Sequence, residues 1–422
     1  MRIRWAFAAI LLATGGAARS MEPSPTLQQR LDAACPGGTV SVPAGMHVGN
    51  LRINKPLRLV GETGAMIHGD GTESVIHILA PDVTVERVGI FGSGKDLSAD
   101  HAGILIEGDR AVIRDNTLGD VLHGIYIKGV SQAVIERNTI LSGSPAAGLD
   151  ASVENAATCS SGPGRGGNGI HFWNSQGNLI RGNFVSGMRD GIYLSFTRES
   201  RIENNRANAC RYGLHYMYSD SNEIIGNLFA NNAAGAALMF SKNLVIRDNS
   251  FAEHRGQRAG GIVLHSVDYS RMENNLLTHN RAGLYLQNCN ANTFVGNRLV
   301  KNYLGMRLTG SSVGNRFLGN RIGGNLHNVD LAGRDNGNIW DDGERGNHWQ
   351  DAGSPDLDGD GVGEWPHREA DILGAYRQNF PLVGLLSAGP FVQAVQFAFQ
   401  RAPMPGVPYI RDNRPLCREG LP

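Results

Sequence analysis

The feature that most constrains the fold of this chain is a repeat of 22 residues. Segments that begin with Gly and an apolar residue start at positions 169, 191, 213 and 235, and again at 261, 283 and 305. The first and third positions after each Gly are apolar, as in Ile192 and Leu194. Such short alternating runs, separated by turn residues, are typical of strands. Because one unit is too short to bury its own apolar face, we expect the units to stack.

The repeat therefore predicts an all-β fold, a right-handed parallel β-helix with about 22 residues per coil. Composition agrees, since 56 of the 422 residues are Gly, a good turn former and a poor helix former. The fourteenth position after the Gly is Asn in seven successive units, which predicts a ladder of stacked amides at an inward bend. Its members are Asn138, Asn183, Asn205, Asn227, Asn249, Asn275 and Asn297.

The chain divides into three predicted parts. Residues 1–20 resemble a secretory signal peptide, because Arg2 and Arg4 precede a short apolar stretch and then small residues. Residues 21–328 form the N-terminal cap and the coils. Residues 329–422 form a non-repeat tail that contains an acidic loop and, at 391–400, an apolar pattern typical of an amphipathic helix. We therefore expect an exported protein.

Charge and cysteine content limit the function classes. Lys+Arg and Asp+Glu balance at 39 each, which argues against a nucleic-acid partner. The five cysteines are scattered and contain no C-x-x-C pair, so a zinc ribbon or a thioredoxin-type motif is disfavoured. The sequence allows a disulfide between Cys35 and Cys417, and one between Cys159 and Cys210, but it decides neither pairing.

A possible metal site lies on the outer face of the coils. Side chains at the second and fourth positions after the Gly point outward, because strand side chains alternate. This places His215 and Met217 on one coil, and puts Met239 and His265 in the Met217 column on the next two coils. Thioether sulfur selects Cu(I), and imidazole suits copper in either state. The alternative is an apolar patch covered by the insertion at 144–167 or by the tail.

The tail carries a second candidate metal site. Asp356, Asp358 and Asp360, followed by Gly361, match the first half of a calcium loop, and Glu364 lies close by. The Glu expected at loop position 12 is replaced by His367, although Glu369 or Asp371 could substitute. Bound Ca²⁺ would pin the tail.

The main alternative function is enzymatic. Many β-helix proteins are lyases, hydrolases or epimerases that act on acidic polysaccharides through clustered carboxylates. Here the acids that we expect to be exposed, such as Asp190, Glu199 and Asp220, are scattered around turns, and the only adjacent Asp pair, at 341–342, lies in the tail. No catalytic constellation is recognisable in the sequence.

Three segments are the most distinctive: GLHYMYSDSNEIIGN from Gly213, GNIWDDGERGNHWQDAGSPDLDGDGVGEWPH from Gly337, and NFPLVG from Asn379. With them, essentially the whole mature chain resembles the NosD family, which serves the maturation of nitrous oxide reductase. The resemblance implies a periplasmic accessory protein, not an enzyme. It further implies docking on an ABC-type ATPase and membrane-subunit pair, which would keep the protein peripheral to the inner membrane.

The resemblance also gives the Met/His face a purpose. It implies that the face is a transient copper relay, which supplies the copper–sulfur cluster of nitrous oxide reductase and receives copper from a chaperone lipoprotein. The segment 391–400 becomes a candidate contact with the membrane subunit. The ligands His215, Met217, Met239 and His265 are inferred from the coil register alone.

Overall fold

The computed structural model describes residues 25–142, 166–254, 260–333, 335, 337–369, 389–402 and 409–417. Within them the chain forms three long parallel sheets, because each coil contributes one short strand to each sheet. The architecture is a parallel β-solenoid of about twelve coils, which confirms the predicted fold class.

Strands that are neighbours within a sheet are usually three strands apart along the chain. Sheet 1 contains β1 Thr39–Val42, β4 Arg58–Gly61, β7 Thr84–Glu86, β10 Val112–Arg114, β13 Val134–Glu136, β16 Leu179–Arg181, β19 Arg201–Glu203, β22 Glu223–Ile225, β25 Val245–Arg247, β28 Arg271–Glu273, β31 Thr293–Val295 and β34 Arg316–Leu318. Sheet 2 contains β2 Gly45–Val48, β5 Ala65–His68, β8 Gly89–Phe91, β11 Thr117–Gly119, β14 Thr139–Leu141, β17 Phe184–Ser186, β20 Arg206–Asn208, β23 Leu228–Ala230, β26 Ser250–Ala252, β29 Leu276–Thr278, β32 Arg298–Val300, β35 Arg321–Gly323 and β37 His348–Trp349. Sheet 3 contains β3 Leu51–Ile53, β6 Ile76–Ile78, β9 Ala102–Ile106, β12 His123–Lys128, β15 Ile170–Trp173, β18 Asp190–Ser195, β21 Tyr212–Met217, β24 Ala234–Lys242, β27 Gly260–Asp268, β30 Ala282–Gln287, β33 Leu304–Thr309 and β36 His327–Ala332.

The core runs along the axis of the solenoid. Side chains at the first and third positions after each coil Gly are buried there, as Ile192 and Leu194 show. Aromatic rings from adjacent coils stack inside, with ring centroids 5.4 Å apart for Phe229 and Phe251. Each coil thus buries its apolar face only against its neighbours, which explains why the repeat needs many units.

The predicted Asn ladder is present and longer than expected. In each rung the side-chain oxygen of one Asn accepts hydrogen bonds from the backbone N–H and the side-chain amide of the Asn one coil earlier; for Asn205 and Asn227 these distances are 2.9 and 3.0 Å. Asn116 precedes the predicted series, and Asn320 and Asn347 follow it. The last rung is closed by Asp412, whose Oδ2 accepts from the Asn347 backbone N–H at 2.7 Å.

A short helix lies at the N-terminal end of the solenoid, and at the other end the sheets run further than we expected. Helix α1, Leu27–Ala33, begins with a capping box between Thr26 and Gln29 and buries two leucines against the first coil. At the other end, sheets 2 and 3 continue past position 328, where we expected the tail to begin, because β36 runs to Ala332 and β37 pairs with β35.

The tail beyond the sheets contains a hairpin and a helix. Strands β38, His367–Glu369, and β39, Ile410–Asp412, pair antiparallel. Helix α2, Pro390–Arg401, packs against β38. None of the described helices is both long and apolar enough to cross a bilayer.

The four described cysteines are not joined to one another by disulfides. Cys35 is exposed, Cys210 and Cys289 are buried, and Cys417 is partly exposed. A disulfide between Cys35 and Cys417 is therefore not formed, and Cys210 instead directs its thiol toward the backbone oxygen of Asn208 at 3.1 Å. Cys159 lies outside the described residues.

Candidate metal site

The Met/His face lies on the outer surface of sheet 3. Strand register pairs Met217 with Met239, and Met239 with His265, so these three residues form one column on consecutive coils. Neighbouring coils are about 4.8 Å apart, a separation that two donor atoms of one metal ion can span. All three side chains are partly exposed. The column therefore offers two thioethers and one imidazole to a soft ion.

His215 stands beside Met217 on the same strand but is less exposed than the sequence suggested. Only 8 % of the residue is accessible, because the ring stacks on Tyr193 at 4.4 Å and meets the edge of Tyr212 at 5.1 Å. Its Nδ1 lies 3.0 Å from Oδ2 of Asp190. If Nδ1 donates to this carboxylate, Nε2 carries the lone pair that a metal needs, which is the usual arrangement of metal-binding histidines.

Asp190 is the residue whose environment differs most from our expectation. We predicted an exposed acid at a turn, whereas the structure buries Asp190 to 1 % exposure. Arg211 binds it with two hydrogen bonds of 2.8 and 2.6 Å. Although burial opposes ionisation, the hydrogen bonds from His215 and Arg211 lower the pKa of Asp190 below its ordinary value. The buried carboxylate thus stays charged and orients the His215 ring.

A column of stacked rings leads away from His215. Tyr126, His171, Tyr193 and His215 follow one another with ring centroids 4.4 to 4.6 Å apart. Burial lowers the pKa of His171 to about 3, so this imidazole is neutral at physiological pH. Since Tyr193 separates the two histidines, His171 does not join the Met/His group. Residues 144–165 of the insertion at 144–167, which we considered as a cover, lie outside the described part of the chain.

An exposed aromatic ridge, which sequence reasoning missed, borders the Met column. Phe196, Tyr218 and Phe240 occupy the fifth position after the coil Gly, and their rings stack at 5.2 and 5.1 Å. All three have φ of 51 or 52°, a left-handed conformation that is unfavourable for bulky side chains. Asn174 and Asn288 hold this position on nearby coils.

The ridge therefore keeps aromatic side chains at a position where the backbone favours Gly or Asn. His265 meets Phe240 edge-on at 5.1 Å, so the ridge also contacts the column of Met217, Met239 and His265. Aromatic side chains in these three successive units, where most other units have Gly or Asn, are the signal by which the ridge could have been found.

The acidic loop brings its three aspartates together. The carboxylates of Asp356, Asp358 and Asp360 lie within 4.8 Å of one another. Each also accepts a backbone N–H inside the loop, for example that of Val362 on Asp360 at 2.7 Å. Glu364 is not part of this group, because its carboxylate accepts the backbone N–H of Leu357.

Comparison with known proteins identifies similar chains. A model of the family described as "Periplasmic copper-binding protein (NosD)" matches residues 149–354. A protein of Pseudomonas aeruginosa named "Probable ABC transporter binding protein NosD" is 30 % identical over 425 residues, covering 97 % of this chain and 94 % of the relative. A Stutzerimonas stutzeri protein of the same name is 28 % identical over 395 residues, covering 89 % and 86 %.

Solved structures share the architecture at low sequence identity. The A-module of a mannuronan C-5 epimerase, AlgE4 of Azotobacter vinelandii, has a TM-score of 0.51 at 14 % identity and covers 74 % of this chain and 94 % of its own. A family 28 exopolygalacturonase of Yersinia enterocolitica has a TM-score of 0.56 at 12 % identity, covering 77 % and 76 %. At such identities the likeness concerns the fold alone.

Proposed function

The chain belongs to the NosD family, and on this basis we propose that it is a periplasmic copper-binding protein that works with an ABC transporter. Its finer role is to help deliver Cu(I) to nitrous oxide reductase for the copper–sulfur cluster. The family's description as copper-binding and the names of the relatives support the coarser part. The relatives are named as binding proteins, which favours a non-enzymatic role over polysaccharide chemistry.

The observation that carries the copper role is the column of Met217, Met239 and His265, with His215 beside it. Two thioethers form a soft donor set, which selects Cu(I) over the hard cations that are abundant outside the cytoplasm. The Asp190 carboxylate holds the His215 ring from behind, as outer partners of metal-binding histidines do. Because Met217, Met239 and His265 are partly exposed on the outer face of sheet 3, an ion held there can be passed to a partner.

A Cu(I) titration against a competing chelator tests the site. We expect the double variant Met217→Ala with Met239→Ala to bind Cu(I) at least tenfold more weakly than the parent protein. Met46 and Met66 give a matched control, because they are also register partners on adjacent coils, but on sheet 2. Their double Ala variant should change the affinity less than twofold. An unchanged Cu(I) affinity in M217A/M239A would contradict the proposed site.

We propose that the acidic loop binds Ca²⁺. The three converging aspartate carboxylates suit a hard cation with oxygen ligands. Its role would be to hold the tail near the last coil. Loss of Ca²⁺ binding in the variant D358N/D360N, measured by calorimetric titration, is the outcome that this assignment requires.

A further inference from the structure

A third cluster of metal-binding side chains lies where the tail meets the solenoid. It consists of Asp351, which follows β37, and of His367 and Glu369, which share one face of β38. One donor atom from each of the three lies within 4.8 Å of the others. The Nε2 of His367 and the Oε2 of Glu369 are 3.3 Å apart. One imidazole and two carboxylates thus converge from two parts of the chain.

The charge balance of this cluster favours a bound cation. His367 and Glu369 are 5 % and 6 % exposed, whereas Asp351 reaches solvent. Among the described residues, no Lys or Arg lies within salt-bridge distance of either carboxylate, and the group that lies within that distance of Glu369 is the His367 imidazole. Burying a carboxylate without a compensating cation is costly. Burial and the nearby Asp351 charge accordingly raise the pKa of Glu369.

The surrounding side chains hold the cluster in place. The His367 ring stacks on Trp349 with centroids 4.6 Å apart, and the Trp349 indole N–H donates to Asp412 at 2.9 Å. The Asn328 side-chain amide donates to Oδ1 of Asp351 at 3.2 Å. Such outer contacts orient metal ligands. A cleft of about 250 Å³, lined by Trp365 and neighbouring residues, reaches His367 and offers an entry path.

We propose that Asp351, His367 and Glu369 bind a structural divalent transition-metal ion, Zn²⁺ above all. A nitrogen ligand with two carboxylate oxygens is a donor set that Zn²⁺ accepts, and a water completes four-coordination. The imidazole disfavours Ca²⁺ and Mg²⁺, which prefer oxygen ligands alone. Since no sulfur is present, the cluster differs in chemistry from the Met/His face. The site does not depend on the copper role.

The bound ion would clamp the tail to the last coil. Asp351 follows a strand of sheet 2, whereas His367 and Glu369 belong to the terminal hairpin. Helix α2 packs against β38, so the same ion would also fix the base of this helix. Metal binding and the thermal stability of the tail are therefore coupled.

Zn²⁺ titration of the metal-stripped full protein tests the proposal. We expect one Zn²⁺ per chain, a rise in Tm on binding, and replacement by Co²⁺ with the visible absorption of a four-coordinate site. The informative variant is Glu369→Gln, because it keeps the shape of the side chain and removes a buried charge, so it should fold. It should weaken Zn²⁺ binding at least tenfold and abolish the Zn²⁺-dependent rise in Tm.

Two control variants separate this site from the others. D358N/D360N and M217A/M239A should bind Zn²⁺ as tightly as the parent protein does. Equal Zn²⁺ binding by the parent and by E369Q would overturn the proposal, as would the absence of Zn²⁺ binding by the parent. If D358N/D360N alone lost Zn²⁺ binding, the ion would be bound by the acidic loop, and this result would also overturn the proposal.

Discussion

At the scale of single residues, the most instructive position lies in a second column of stacked polar side chains. There, His254 occupies a place that Asn232 and Asn280 hold on the neighbouring coils. Nδ1 of the His254 ring accepts the Asn232 backbone N–H at 3.1 Å, and the backbone N–H of His254 donates to Oδ1 of Asn280 at 3.1 Å. The side chain is completely buried. Burial lowers the pKa of His254 to about 4, well below the 6.5 of an exposed imidazole. Protonation of this one ring therefore opposes the folded state.

We predict that His254→Asn makes the protein less sensitive to acid. Because the folded-state pKa is the lower one, the unfolded chain takes up the proton first as the pH falls. The stability that neutral His254 contributes is complete above about pH 6.5 and is lost as the pH falls toward 4. Between pH 7 and pH 4.5 the parent should lose about 2 kcal/mol more free energy of unfolding than H254N does.

Urea unfolding at the two pH values measures this difference. The matched control is His279→Asn, since His279 is exposed on the following coil and Asn tolerates its φ of 55°. H279N should lose as much stability on acidification as the parent does. Equal acid sensitivity of H254N and the parent would show that His254 does not titrate in this range.

Residue counting predicted some members of the candidate site but not others. The Met217, Met239 and His265 column follows from period two within a strand and a fixed coil length. The contact between His215 and Asp190 does not, because Asp190 lies one coil earlier and its burial depends on the Arg211 side chain folding over it. A repeat pattern does not predict the contacts that long side chains make between coils.

At the scale of elements, strands were predictable and turns were not. A buried strand leaves an alternating pattern, so the three sheets follow from the sequence. The aromatic ridge depends on a left-handed φ at Phe196, Tyr218 and Phe240. Bulky residues rarely adopt this conformation, so their identity did not predict it. The ridge recurs on three successive coils despite the conformational cost, beside the column of Met217, Met239 and His265.

Helix α2 leads to a prediction about docking. The helix buries Phe399, whereas Phe391 at its first turn is 78 % exposed. Since an exposed Phe contributes little to the stability of the protein itself, we propose that it contacts the membrane subunit of the transporter. Phe391→Asp should reduce co-purification with that subunit at least fivefold and leave Cu(I) affinity and Tm unchanged. Leu357→Asp, at a tail residue that is 74 % exposed, is the matched control; full co-purification of F391D would refute the contact.

At the scale of the whole molecule, the ladder links the solenoid to the end of the described chain. Asp412 accepts hydrogen bonds from the Asn347 backbone and from the Trp349 indole through the same oxygen. Asp412→Ala should lower the free energy of unfolding by about 2–4 kcal/mol, because it leaves these buried donors unpaired. Asp412→Asn keeps an acceptor, as in every other rung, and should lose less than half as much. Urea unfolding distinguishes them, and a D412A protein as stable as the parent would contradict this account of the ladder.

The position of that last acceptor has a consequence for synthesis. Because the chain is made and delivered from its N-terminus, the N-terminal coils are available first, and each finished coil can serve as the template for the next. Asn347 must wait for a partner 65 residues further along the chain. Until it arrives, the newest coil presents open strand edges, which invite pairing with other chains. A chain that stops before Asp412 therefore leaves the buried Asn347 and Trp349 N–H groups without this acceptor, and the last coil without its closing contact.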